Sequence, residues 1–146
     1  MTNEELIGLA IKAREMAYAP YSNWYVGAAL LTKEGKVYLG CNIENGGFSA
    51  TNCAERTAIF KAVSEGERNF EKIAIVGGDR ERGLEDYCTP CGVCRTVMAE
   101  FCHPDDFRVL CAKSETEYMD LSLRDLIPNT HYASFSEGYG FMPKNK

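Results

Sequence analysis

The chain has 146 residues, of which 45% are hydrophobic and 25% are charged, a size and composition that fit one ordinary globular domain. Lys and Arg number 16 against 21 Asp and Glu, for a net charge of -5, which disfavours nucleic-acid binding because phosphates attract clustered basic side chains. No apolar run is long enough to span a membrane, and the acidic, polar start is unlike a secretory signal or transit peptide. We therefore expect one domain over residues 1–146, in the cytoplasm.

The cysteine content is unusual, with seven cysteines and only two histidines. An odd number of cysteines without a secretory signal argues against a disulfide framework. We expect reduced thiols that either bind a metal or lie buried as small apolar groups.

Hydrophobic spacing predicts alternating helices and strands. Thr2 and Glu5 form a capping box that opens a first helix, which continues to about residue 18 and ends before Pro20. The later strands are predicted at 26–32, 36–41, 72–76, 107–112 and 118–121, and the strand at 72–76 is expected to be buried on both faces. Helices are predicted at 53–64, 91–101 and 122–127, with loops at 42–52 and 77–90. This alternation predicts a sheet flanked by helices, followed from about residue 129 by a tail rich in aromatic side chains.

Three cysteines lie at the predicted starts of two helices. Cys91 and Cys94 are three residues apart and share one face of a first turn, where free backbone N–H groups favour thiolates. Cys53 begins the other helix. If the two helix starts meet, three sulfur atoms form an incomplete tetrahedron around Zn²⁺ and leave the fourth position to water, as in a catalytic site. The alternative is that Cys53 is a buried apolar thiol.

The segments Cys53-Ala54-Glu55-Arg56 and Pro90-Cys91-Gly92-Val93-Cys94-Arg95 resemble the signature of the small zinc-dependent cytidine deaminases. The similarity extends from Ala19-Pro20-Tyr21-Ser22 to Leu126-Ile127-Pro128. It implies a three-layer α/β/α sandwich with a mixed sheet of about five strands, one Zn²⁺ per chain and a homotetramer. Cys53 stands where free-base and transfer-RNA deaminases usually carry His, which points to the nucleoside branch.

The resemblance implies hydrolytic deamination of cytidine and 2′-deoxycytidine, with release of ammonia, in pyrimidine salvage. Zinc can lower the pKa of bound water from 15.7 to about 7, and the resulting hydroxide would attack C4 of the pyrimidine. Glu55 would carry the proton to N3 and then to the leaving amine. Arg56 and Arg95 would hydrogen-bond the sulfur atoms and offset their charge; the alternative for each arginine is a surface salt bridge.

The resemblance also implies the contacts to the nucleoside. Asn42 and Glu44 would bind the ribose 3′-hydroxyl, the Thr89 carbonyl would receive the amino group, and the Ala54 amide would hold the ring. Trp24 would pack on the pyrimidine, at a position where the family generally has Phe. The alternatives are a turn at Asn42 with a solvated Glu44, and a core or interface tryptophan.

Three features besides Trp24 depart from the family pattern, and two other functions remain open. Thr96 stands where Gln is common, His131 stands where a Phe often reaches a neighbouring subunit, and the tail over residues 132–146 does not match the family pattern. Cys88, Cys91 and Cys94 are evenly spaced. In one alternative, Cys88 completes a closed four-sulfur zinc site or an iron–sulfur cluster in a protein without catalytic activity. A deaminase of another aminopyrimidine nucleoside, such as an antibiotic, is the other alternative.

Overall fold

The computed structural model describes residues 1–130, in which the predicted elements occur in the predicted order. The helices are α1 (Asn3–Arg14), α2 (Ala54–Ser64), α3 (Gly92–Phe101) and α4 (Leu123–Leu126), and the strands are β1 (Trp24–Thr32), β2 (Val37–Cys41), β3 (Phe70–Asp79), β4 (Arg108–Ala112) and β5 (Tyr118–Ser122). Over this range, none of the helices has the length and apolar character that crossing a bilayer requires. His131 and the aromatic tail lie outside the described residues.

The five strands form one mixed sheet in the order β2-β1-β3-β4-β5. Strand β1 is antiparallel to both of its neighbours, β3 and β4 are parallel, and β5 is antiparallel to β4. Strands β2, β3 and β4 therefore run in one direction, and their carboxyl ends lie at the same edge as the amino end of β1. This edge brings together Trp24, the residues after Cys41 and the loop after Asp79.

Helices cover both faces of the sheet, which confirms the predicted three-layer sandwich. Leu6, Ile7 and Ala10 of α1 pack on one face, whereas Ala58 and Ile59 of α2 and Met98 of α3 pack on the other. In β3, four consecutive side chains are fully buried: Ile73, Ala74, Ile75 and Val76. Because side chains alternate between the faces of a strand, this burial confirms that the strand is covered on both sides.

Two predicted boundaries are wrong. Helix α1 ends at Arg14 rather than near residue 18, because the Tyr18 N–H donates to the Asn42 carbonyl (2.9 Å) and the Tyr18 carbonyl accepts from the Glu44 N–H (2.8 Å). Strand β3 continues to Asp79, into the predicted loop, because residues 77–79 pair with the first three residues of β1. Pairing between distant segments decides both boundaries.

Helix α2 packs directly on the backbone of β2 at Gly40. A Cβ atom at Gly40 would lie 2.4 Å from the Ala54 carbonyl oxygen and 2.5 Å from the Ala58 nitrogen. Only glycine allows this approach. It places the start of α2 at the sheet edge where the residues after β2 and β3 meet.

Candidate active site

The two predicted helix starts meet, and they bring the three predicted zinc ligands together. Cys53 is the N-cap of α2, Cys91 is the N-cap of α3, and Cys94 lies in the first turn of α3. Their sulfur atoms all lie within 4.8 Å of one another, with 3.6 Å between Cys53 and Cys91 and 3.5 Å between Cys91 and Cys94. The cluster therefore joins two segments that are 38 residues apart in the sequence.

The spacing of the sulfur atoms suits zinc. Ligands about 2.3 Å from a tetrahedral zinc ion lie about 3.8 Å apart, close to the two sulfur separations given above. Three ionised sulfur atoms at this distance repel one another unless a cation lies between them. The donor set and its geometry therefore fit one Zn²⁺, and in the part of the chain that the structure describes no other group of metal-binding side chains is this close.

Arg56 lies beside the sulfur cluster. Its Nη2 donates to the Cys53 sulfur at 3.2 Å, as expected for two residues three positions apart at a helix start. The neighbouring Cys94, together with Arg56, lowers the pKa of Cys53 to about 5, although partial burial opposes the shift. Cys53 is thus prepared to act as a thiolate.

Arg95 lies elsewhere, and the expectation that it hydrogen-bonds the sulfur atoms is wrong. Its Nε donates to the Pro90 carbonyl and its Nη1 to the Leu126 carbonyl, both at 2.7 Å. Arg95 directly follows Cys94, so its side chain leaves the helix about 100° away around the axis. Through these two hydrogen bonds, Arg95 links the segment before α3 to the end of α4.

Glu55 is the buried carboxyl group of the site. It lies in the first turn of α2 and is 3% exposed. Burial, with a contribution from the nearby Cys53, raises the pKa of Glu55 to about 7. A carboxyl group with this pKa can both accept and donate a proton near neutral pH.

A cavity of about 340 Å³ opens at the sheet edge above the cysteines. It is lined by every residue that the sequence analysis assigns to nucleoside binding, together with Glu55 and two of the predicted zinc ligands. The lining residues are Ser22, Trp24, Val26, Asn42, Glu44, Thr51, Asn52, Cys53, Ala54, Glu55, Cys88, Thr89 and Cys91. The third zinc ligand, Cys94, is fully buried.

Asn42 is held by the start of β1, and Glu44 is held by the segment that leads into it. The Asn42 Oδ1 accepts from the Val26 N–H (2.9 Å), and its Nδ2 donates to the Trp24 carbonyl (2.8 Å). Glu44 accepts from the N–H groups of Tyr21 (2.9 Å) and Ser22 (3.1 Å) and from the Ser22 hydroxyl. Although desolvation opposes it, these hydrogen bonds lower the pKa of Glu44. Glu44 is therefore an oriented carboxylate, unlike the solvated side chain of the alternative.

Trp24 is not a core residue: it is the first residue of β1, its side chain lines the cavity, and it is 45% exposed.

Thr96 lies on the exposed surface of α3, where its hydroxyl donates to the Gly92 carbonyl at 2.9 Å. The departure from the family at Thr96 therefore lies outside the cavity lining, whereas the departure at Trp24 lies within it.

Cys88 lines the cavity but does not belong to the sulfur cluster. Burial raises the pKa of its thiol to about 12, so Cys88 is a neutral group. In the described part of the chain, the closed four-sulfur arrangement is not formed.

Sequence reasoning missed several of the lining residues, including Ser22, Thr51 and Asn52. Ser22 orients Glu44 across 22 positions of sequence. No local pattern signals that contact, although Ser22 belongs to one of the segments that carry the family resemblance.

Comparison with known proteins agrees with this geometry. Residues 1–110 match the family model described as the cytidine and deoxycytidylate deaminase zinc-binding region. The chain is 47% identical to a cytidine deaminase of Halalkalibacterium halodurans over 91% of this chain and 96% of that protein. It is 55% identical to a cytidine deaminase of Sporosarcina psychrophila over 70% of this chain and 72% of that protein.

The crystal structure of a cytidine deaminase from Burkholderia pseudomallei superposes with a TM-score of 0.81 at 45% identity, over 89% of this chain and 99% of that chain. At this TM-score and coverage the two chains share the same overall α/β fold. Since both the domain model and relatives aligned over nearly their whole length agree, the chain belongs to the zinc-dependent cytidine deaminase family.

Proposed function

We propose that this protein catalyses the hydrolysis of cytidine and 2′-deoxycytidine to uridine and 2′-deoxyuridine with release of ammonia. The observation that carries the proposal is the position of Glu55, a buried carboxyl group beside three clustered sulfur atoms at the bottom of an open cavity. The named relatives given above support it.

Cys53, Cys91 and Cys94 would hold the zinc ion, which when bound would supply a water activated for hydrolysis at neutral pH. Glu55 accepts a proton from the attacking water at a carboxylate oxygen, delivers it to N3 of the pyrimidine and afterwards to the departing amine. Its pKa of about 7 suits both directions of transfer. Arg56 offsets part of the negative charge of the sulfur atoms through its contact with Cys53.

The remaining polar groups bind and orient the nucleoside. The Glu44 carboxylate and the Asn42 amide supply acceptors and a donor for a ribose hydroxyl group. The Thr89 carbonyl accepts from the amino group that departs, the Ala54 amide holds the ring, and Trp24 packs on the pyrimidine.

The charge of the cavity favours a nucleoside over a nucleotide. Its lining contains the carboxyl groups of Glu44 and Glu55, and none of the described lining residues is Lys or Arg. A 5′-phosphate would find no partner there and would be repelled by the Glu44 carboxylate. Among the substrates that the family model covers, we therefore propose nucleosides and not deoxycytidylate.

The test is a deamination assay that follows the loss of cytidine absorbance in the ultraviolet. We expect turnover of cytidine and 2′-deoxycytidine, much slower turnover of free cytosine and of the two monophosphates, and loss of all activity with a chelator. A faster rate on a nucleoside antibiotic than on cytidine would favour the alternative substrate, and an appreciable rate on free cytosine would contradict the roles of Asn42 and Glu44.

We propose further that the enzyme works as a homotetramer in the cytoplasm, in pyrimidine salvage. Several large apolar side chains are well exposed, among them Phe48 (73%), Tyr21 (58%) and Val93 (56%), and association would cover such groups. Light scattering after size exclusion should give four times the 16.3 kDa of one chain. A single-chain mass would contradict the tetramer without affecting the proposed reaction.

A further inference from the structure

Gly77 lies in β3 directly behind one wall of the cavity. A Cβ atom at this position would lie 2.7 Å from the Cys88 sulfur and 3.2 Å from both the Trp24 Nε1 and the Val26 Cγ2. All three of these side chains line the cavity. The side chains of this wall therefore pack directly against the Gly77 backbone. They fill space that the Cβ atom of any other residue at position 77 would need.

The contacts at Gly77 differ in kind from those at Gly27, Gly40 and Gly78. At these three glycines, the two atoms nearest to an added Cβ belong to the backbone. At Gly77, the three nearest atoms all belong to side chains of the cavity wall. Extra volume here would therefore be relieved by moving those side chains.

The Trp24 backbone cannot follow such a movement, because it is held at several points. Its carbonyl accepts from the Asn42 amide at 2.8 Å, its N–H donates to the Ser22 hydroxyl at 3.0 Å, and it pairs with Asp79 across the sheet. Trp24 is 45% exposed and lines the cavity. A movement of its ring away from Gly77 therefore reaches space that a substrate would occupy.

We propose that Gly77 is a positioning residue for the nucleoside: having no side chain, it allows Trp24 and Cys88 to lie back against β3, and so it sets the position of the wall on which the substrate packs. The inference rests on the proposed function, since it assumes that this cavity binds the nucleoside. Gly77 itself touches no substrate and takes no part in proton transfer.

The test is Gly77→Ala, and it has a reporter that does not depend on turnover. Trp24 is the only tryptophan of the chain, so the intrinsic emission of the zinc-loaded protein without substrate reports on this wall. We expect a changed emission and a KM for cytidine that rises about fivefold or more, as overpacking of a tight contact predicts. The kcat should stay within about twofold, since the proton-transfer groups are untouched.

Two further variants make the test specific. Gly8→Ala is the matched control, because Gly8 lies in α1 and an added Cβ would meet only the side chain of Glu115; we expect wild-type KM and emission. In a Cys88→Ala background, where the closest contact is removed, Gly77→Ala should raise KM much less than it does in the wild-type background. If Gly77→Ala does not fold in the wild-type background, the KM of the double variant is compared with that of Cys88→Ala alone.

The outcomes separate the two proposals. A wild-type protein that does not deaminate cytidine contradicts the proposed function. An active wild type, with a Gly77→Ala variant of unchanged KM and emission, overturns the positioning role. An equal rise of KM in the wild-type and Cys88→Ala backgrounds, with unchanged Trp24 emission in both, also overturns it, because the effect would then pass through neither Cys88 nor Trp24.

Discussion

At the scale of single residues, the chemistry depends on Glu55. We expect Glu55→Gln to lower kcat by about a hundredfold or more, the usual contribution of a general acid–base group. The variant should keep its zinc and its thermal stability, because a neutral amide is no harder to bury than the carboxyl group it replaces. The ultraviolet assay, metal analysis and thermal unfolding measure the three quantities.

The matched control for Glu55 is Glu65→Gln, at the exposed carboxyl end of the same helix. It removes one carboxylate from α2 without touching the cavity, so we expect wild-type kcat. Near-normal turnover in Glu55→Gln would show that another group moves the proton.

Glu44 contributes to binding through its charge. In Glu44→Gln, an amide oxygen can still accept from the N–H groups of Tyr21 and Ser22, but the charge that strengthens a hydrogen bond to the ribose is lost. We expect KM for cytidine to rise about tenfold with a much smaller change in kcat, measured by steady-state kinetics. An unchanged KM would mean that Glu44 only supports the turn around Ser22.

At the scale of elements, the site depends on where α2 begins. Gly40 lets the first turn of this helix lie against the backbone of β2, with the Ala54 carbonyl only 2.4 Å from where a Cβ would stand. Gly40→Ala should push the helix start away from β2 and so disturb its position beside α3, lower the free energy of unfolding by about 1–3 kcal/mol and weaken zinc binding. Chemical denaturation and zinc titration measure the two effects.

Gly8→Ala separates this effect from that of a glycine substitution in general. The nearest atom to an added Cβ at Gly8 is a carboxylate oxygen of the exposed Glu115 at 3.1 Å, which can move. Because alanine suits a helix interior better than glycine, we expect a stability gain of up to about 1 kcal/mol. If Gly40→Ala leaves stability and zinc affinity as high as this control does, the packing argument is wrong.

At the scale of the whole molecule, zinc should hold the two helix starts together. The ligands come from α2 and from α3, so metal binding contributes to the stability of the fold. A chelator should abolish activity and lower the midpoint of thermal unfolding, and added zinc should restore both. Calorimetry with and without the chelator provides the measurement.

Single cysteine variants test which sulfur atoms take part. Cys53→Ala should lose zinc and stability, whereas Cys88→Ser should keep the zinc because its sulfur lies outside the cluster. A Cys53→Ala protein with full zinc content, or a Cys88→Ser protein without zinc, would change the ligand set.

Part of the ligand set could be predicted from local signals, whereas Cys53 was assigned through the family resemblance of its segment. The spacing of Cys91 and Cys94 puts both on one helical face, and helix starts can be recognised from Cys53 and Pro90 onwards. Arg56 follows the same logic, since it lies one turn after Cys53. The same reasoning failed for Arg95, because its partners, the carbonyls of Pro90 and Leu126, depend on how α4 packs.

The amino-acid sequence by itself determined the order of the helices and strands and the burial of β3, since periodicity and capping act between residues close in the chain; the family resemblance pointed to Cys53, Cys91, Cys94 and Glu55. Only the tertiary structure decided where α1 ends, how Ser22 orients Glu44, how deeply Glu55 is buried, and which side chains lie against Gly77. Those features depend on contacts between segments that meet only when the sheet is assembled, and hydrogen bonds and steric limits there outweigh local preference.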